Sequence, residues 1–196
     1  MVVVAGFASA GFVANAQPVQ ATALKESSIL AYRLVHPLHE VDAVSHDAVF
    51  DVLVLPSARK LLSVAARVDV MTFDSGNSNR DSHAMEVIDA ITFPEASFTS
   101  TSIVQSGDSI NVAGRLTFHG VTNDLTMRGT VKWMDHRLEV RGAWDLSLTA
   151  FKVERPALLL MPVEDRLRFT FAVTLTWAQG SAAGPGTDNP HAVPLP

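Results

Sequence analysis

The residues able to do chemistry are seven histidines, a scatter of carboxylates and no cysteine at all. Thiolate chemistry, disulfides and Cys-type zinc sites are therefore out of reach. His36, His39 and His46 come close enough in sequence to suggest zinc. Residues three apart on a strand face opposite sides, however, and Pro37 interrupts the run. No Asp or Glu at ligand spacing completes a site. His39-Glu40 starts like the helical HExxH pattern, but position 43 is Ala43. These histidines read as loop residues bonded to backbone or solvent, and His83 and His119 as surface residues of a helix and a hairpin. Glu164 and Asp165 are adjacent at the start of a strand and point to opposite faces, so they make no acid–base pair. Arg80 and Asp81 lack a partner nucleophile. They read as structural groups that tie a helix to the rim beneath it, each bonding to a different group because neighbouring helical residues do not face each other. No G-x-S-x-G, P-loop or G-x-G-x-x-G is present; Gly184 and Gly186 precede no helix. The expectation is a protein that is not an enzyme, with no metal and no cofactor.

The chain of 196 residues is 47% hydrophobic and 18% charged, enough to bury a core in one domain. Its net charge is -5 and no Lys/Arg cluster occurs, which argues against nucleic acid as a partner. Residues 1–16 carry no charge and end in Ala14-Asn15-Ala16, a small-x-small pattern suited to signal peptidase. They are expected to be an export signal, placing the mature protein in the periplasm or outside the cell. The segment 17–27 reads as a linker, 28–177 as the folded domain, and the Gly/Pro/Ala-rich 178–196 as a disordered tail.

Within the domain the hydrophobic period is two. Val112, Leu116 and Phe118 share one face of a strand; Leu125, Met127, Val131 and Trp133 one face of the next. Leu138, Val140, Trp144, Leu146 and Leu148 follow, then Leu167, Phe169, Phe171, Val173 and Leu175. The intervening residues are mostly polar, which is the antiparallel pattern with one solvated face. Strands are also expected over 30–35, 49–55, 61–72 and 96–104, with Phe98 as an inward anchor. Eight antiparallel strands with short connections tend to curl and close, and inward glycines at 114, 129 and 142 help a sheet bend. Periodicity alone leaves a two-sheet sandwich open.

Between two of these strands the alternation stops. Asp74-Ser75-Gly76-Asn77 has turn chemistry, Ser78 with Asp81 matches a loose capping box, and Ala84, Val87 and Ile88 share a helical face with Met85 beside it. A helix over 78–89 is predicted to lay that face on one end of the barrel. Pro94 then starts a strand.

The run Phe73-Asp74-Ser75-Gly76-Asn77, with Arg80-Asp81, Ala90, Pro94, Phe98 and Ser100-Thr101, resembles the signature of the YceI-like family. So does Gly114-Arg115-Leu116-Thr117-Phe118-His119-Gly120-Val121-Thr122, and the resemblance spans roughly 28–177. It implies an all-β fold: an eight-stranded antiparallel, lipocalin-like β-barrel with a short helix over one end. It also implies a bacterial, exported protein, and for some members a long apolar molecule of polyisoprenoid or fatty-acyl type held in the barrel. The chain departs from the family at Lys152 to Pro162, where an Arg-x-x-Phe-Gly-type segment is usual.

The inward side chains give two expectations. Either they fill the barrel, or they line a tunnel for a long-chain apolar small molecule. The candidate ligand-binding set is Phe98, Leu116, Phe118, Met127, Val131, Trp133, Trp144, Leu146, Leu148, Phe169 and Phe171, with Asn77, Arg80 or His119 near a polar headgroup. The apolar run Leu158 to Met161 is open to three roles: a lid, a loop folded onto the barrel end, or a patch for transient membrane or protein contact. The last is the basis of an alternative function, an envelope interaction module with a filled barrel. A homodimer is compatible with either.

Overall fold

The structure is a computed structural model that describes residues 17–158 and 160–178. In chain order the strands are β1 (Val19–Ala23), β2 (Ile29–His36), β3 (His39–Ser45), β4 (Val49–Leu55) and β5 (Lys60–Asp69). The helix α1 (Ser78–Val87) precedes β6 (Glu95–Ser106), β7 (Ser109–Phe118), β8 (Val121–Met134) and β9 (Arg137–Ser147). A short ribbon, β10 (Ala157–Leu158) and β11 (Met161–Pro162), leads into β12 (Arg166–Thr176).

The sheet runs β1-β4-β5-β6-β7-β8-β9-β12 and closes because β1 also pairs with β12. All pairings are antiparallel. A closed barrel, not a sandwich, is the outcome, and it leaves no open edge around this ring. The first two walls are bent. β1 pairs with β4 through Val19↔Val54, and β2 with β3 through Leu30↔Ser45. Each wall is thus one long strand interrupted near its middle. The Ser28 hydroxyl donates to the Leu24 carbonyl at 2.8 Å, and His46 Nδ1–H donates to the Ser28 carbonyl at 3.0 Å. A Lys25–Asp47 ion pair joins the two bends.

Two expectations are corrected by these walls. The segment 17–27 is not a linker: Val19–Ala23 closes the ring and Lys25–Ser27 is a 3-10 turn at the bend. Ala21, 1% exposed, shows why, since this segment is short on charge and supplies core side chains. The histidine stretch is not a loop either, because His39–Ser45 is strand β3. Its backbone-bonded reading holds for His36 and His46.

The strand expected over 61–72 stops at Asp69. The Asp69 side chain accepts the Met71 N–H at 2.9 Å and caps a 3-10 turn, Val70–Thr72. That turn carries the chain across to β3, where Val44 and Asp74 exchange two backbone hydrogen bonds of 2.9 Å. Gly142 illustrates a glycine required by close approach. A Cβ there would meet Phe171 Cε1 at 2.6 Å and the Arg128 carbonyl at 2.7 Å, so the ring of Phe171 folds over bare backbone.

The helix begins at Asn77, whose side-chain oxygen accepts the Arg80 N–H at 3.1 Å. This replaces the expected Ser78–Asp81 capping box. Asp81 accepts instead from the backbone N–H and hydroxyl of Ser75. Arg80 donates through Nε to Ser75 Oγ at 2.9 Å and through Nη2 to the Ser75 carbonyl at 2.8 Å. The two residues do tie the helix to the turn, and both converge on Ser75.

Candidate ligand cavity

The barrel has a filled end and an open end. At the filled end Ala21, Val54, Val131 and Leu138 are at most 1% exposed and pack as an ordinary core. Toward the other end, where α1 and the β10–β11 ribbon lie, the inward side chains no longer meet. Leu125, Met127, Trp144, Phe169 and Phe171 point inward by strand parity, yet remain only half-buried. They surround a cavity of about 470 Å³, within the roughly 300–1,000 Å³ of small-molecule sites.

Each wall contributes through alternate residues, as the pleat requires. From β6 and β7 come Phe98, Leu116 and Phe118; from β8, Met127; from β9 and just beyond it, Trp144, Leu146 and Leu148. Phe169 and Phe171 come from β12, and Arg80 from α1. Trp144 stacks on Phe169 with centroids 4.9 Å apart and planes 5° from parallel. α1 closes over the opening with Ala84, Met85, Val87 and Ile88, the face legible in the sequence.

Three of the expected ligand residues are elsewhere. Val131 lies in the packed plug, 1% exposed. Trp133 sits farther along the same strand face and packs on Trp177, centroids 5.9 Å apart, outside the cavity. Asn77 is spent on the helix cap. His119 is also structural: in a left-handed turn (φ 48°), its Nδ1–H donates to the Phe151 carbonyl at 2.9 Å. His83, read as a surface residue, does stay exposed but reaches the opening of the cavity.

Among the residues that the site reasoning missed are those of the bent walls, Tyr32 and Leu34 on β2, Val41 on β3, Phe50 and Val52 on β4, and others from β5 such as Leu61 and Val64. Their signal was present, since 30, 32 and 34 alternate with polar or small neighbours. Tyr32 packs on Phe73 at 5.3 Å and on Phe169 at 5.9 Å. Burial raises the pKa of its phenol, Asp81 raises it further, and Arg80 opposes. Tyr32 is thus protonated throughout the neutral range.

His36 organises the rim. It is 4% exposed, and its Nδ1 accepts the Leu38 N–H at 3.1 Å. The hydrogen is therefore on Nε2, which donates to the Met161 carbonyl at 2.9 Å. A single ring joins the β2–β3 turn to the β10–β11 ribbon. Arg155 Nη1 donates to the Val163 carbonyl at 3.3 Å, and Val153 and Val163 line the cavity beneath. The described residues of 153–158 and 161–163 fold against the barrel end, while Leu160 is 97% exposed. The side chain of Leu158, the whole of Leu159, the export signal over 1–16 and the tail from 179 onward fall outside the described residues.

Fold and cavity together define a calyx: a closed up-and-down barrel, plugged at one end, with an apolar chamber under a helix at the other. The family model for the YceI-like domain matches residues 35–175, and the chain belongs to that family. Protein YceI of Salmonella arizonae is 36% identical over 74 residues, a match that spans 37% of this chain and 37% of that relative. Among solved structures, BcnA of Burkholderia cenocepacia superimposes with a TM-score of 0.70 at 22% identity, over 78% of this chain and 98% of that one. The YceI protein of Campylobacter jejuni gives 0.61 at 12% identity, over 91% and 94%. A polyisoprenoid binding domain from Saccharophagus degradans gives 0.59 at 11% identity, over 80% and 97%. At these identities the neighbours establish the fold.

Proposed function

We propose that this chain is an exported binding protein, not an enzyme, that holds a long apolar ligand of polyisoprenoid or fatty-acyl type in its barrel, for transport or storage in the cell envelope. One observation carries the proposal: a row of inward Leu, Met, Trp and Phe side chains left half-buried around about 470 Å³ of space. Apolar surface kept from its own core gains when a ligand covers it. A chain of about 15 methylenes would contribute on the order of 12 kcal/mol before the costs of ordering it. A structural neighbour that is a polyisoprenoid binding domain agrees with this reading. The uncharged residues 1–16 and Ala14-Asn15-Ala16 favour export to the periplasm or beyond. The exposure of Leu160 favours a second, compatible role, transient contact of the ribbon tip with a membrane or an envelope protein.

Native mass spectrometry of the purified protein, followed by organic extraction and lipid analysis, tests the proposal. A discrete added mass released by solvent is expected, together with uptake of added isoprenoid or fatty-acyl compounds. A bare protein that takes up neither would shift the function to the surface and leave the interior as an imperfectly packed core.

A further inference from the structure

The ring of eight strands is closed below the bends, but above them one side of the wall lacks a strand. β3 is the last strand of its branch of the sheet. Among the described residues, its edge away from β2 makes a single isolated bridge, Val44 to Asp74. β5, the next strand around, pairs with β4 and β6 and not with β3. The helix α1 stands in this gap. It leaves from Asp74 beside β3 and returns to β6 through Phe93, whose ring packs on His119 at 4.8 Å. On either side of it the cavity is lined by His39 and Val41 of β3 and by Ala96 and Phe98 of β6.

The helix is tied to itself and not to the barrel. Among the described residues, the hydrogen bonds and ion pairs of Ser78–Val87 stay within the helix or go to its own flanks. Arg80 and Asp81 bond to Ser75, Asn77 caps the Arg80 N–H, His83 pairs with Glu86, and the Ala90 N–H donates to the Met85 carbonyl. None reaches a strand. No residue of the helix is buried either; Ala84, Met85 and Val87 face the cavity half-buried. The ribbon that shares the opening is held differently. His36 donates to the Met161 carbonyl, and the Glu164 N–H that follows the ribbon donates to the Val35 carbonyl at 2.8 Å. Of the two covers, the ribbon is pinned to the wall and the helix rests on empty space.

Resting on the cavity reading above, we propose that α1 is the gate of the chamber: it unwinds locally between fixed posts at Asp74 and Phe93 and bares a slit between β3 and β6, through which the ligand passes while the barrel stays folded. Lifted from the cavity, ten residues do not hold a helix in water, so leaving the wall and unwinding are one event. The Asn77 cap then sets how often that event occurs. A filled chamber gives Ala84, Met85 and Val87 a surface to cover, so an apolar ligand closes the gate behind it.

The test is the rate at which the full chain takes up the neutral fluorescent probe N-phenyl-1-naphthylamine, with amide exchange measured alongside. In the empty protein the α1 amides are expected to exchange as a block, at least about tenfold faster than those of β8 and β9. Saturating probe should slow the α1 block at least about tenfold. Asn77→Ala should speed both probe uptake and α1 exchange about fivefold, and Asn77→Asp, which still caps, should keep both near the parent values. Uptake that ignores the cap, or α1 amides as protected as those of β9, would make the helix a fixed part of the wall and overturn the gate while the cavity still fills. If no probe enters, the cavity reading itself falls and this inference with it.

Discussion

The two ends of this barrel are built from the same strands by the same alternation, and they pack differently. At the filled end Val54 and Leu138 are 0% exposed and their layer is closed. Toward the other end, Met127 on β8 and Phe171 on β12 remain half-buried around empty space. The difference lies in what crosses the ends. Hairpins at Leu55–Lys60, Ser106–Ser109 and Met134–Arg137 draw the strands together below. Above, the bent first walls, a helix and a ribbon span the opening from outside. The lesson is that inward apolar parity specifies a face, whereas fullness depends on how closely the walls approach.

The comparison can be broken most directly by truncation. Leu138→Ala at the filled end is expected to cost about 2–5 kcal/mol in urea unfolding, because it leaves a void in a closed layer. Met127→Ala should cost under about 1.5 kcal/mol, since less area is removed from contact, and should instead change the affinity for apolar compounds. Equal stability losses at the two sites would mean that the chamber is core.

A smaller effect sharpens the contrast at the open rim. His36→Ala removes the bond from Leu38 N–H and the bond to Met161, worth about 1–3 kcal/mol locally. Amide exchange at Leu38 should accelerate at least about tenfold while the amides of β9 keep their protection. Uniform acceleration across the barrel would show that the rim is not an independent unit.

The smallest effect concerns pH. Asp165 accepts from the Ser147 hydroxyl at 2.6 Å and the Thr149 N–H at 2.8 Å, and these bonds hold its carboxyl below the ordinary range. A folded pKa below the unfolded value means stabilisation that is present above the unfolded pKa and lost as pH falls through the folded one. Asp165→Asn should therefore lower stability at neutral pH by under about 1 kcal/mol, as the group is largely solvated, with the difference vanishing in acid. A stability gap that persists at pH 2 would assign the loss to geometry and not to charge.

Much of the fold was legible because a strand with one wet face writes its period into the chain. β7, β8, β9 and β12 were found with their inward faces correct. β1 escaped because five residues with no strong alternation look like any polar connection. β3 escaped because His39, Glu40 and Asp42 occupy its outward or rim positions and hide Val41 and Ala43. Trp133 was placed in the site because parity alone cannot say how far along a barrel a residue lies.

The amino-acid sequence by itself determined the secondary structure of most of the walls, the antiparallel class, the turn before the helix and the absence of thiol chemistry, since each follows from local residue types and their period. Tertiary structure decided the rest. Only closure of the ring could show that the chain from Val19 onward belongs to the barrel. Only the distances between facing walls could separate Val131 in the plug from Met127 in the chamber. And only the register across β2, β12 and β9 could bring Tyr32 and Trp144, more than a hundred residues apart, onto one ring of Phe169. Register is a relation between segments, which no single segment encodes.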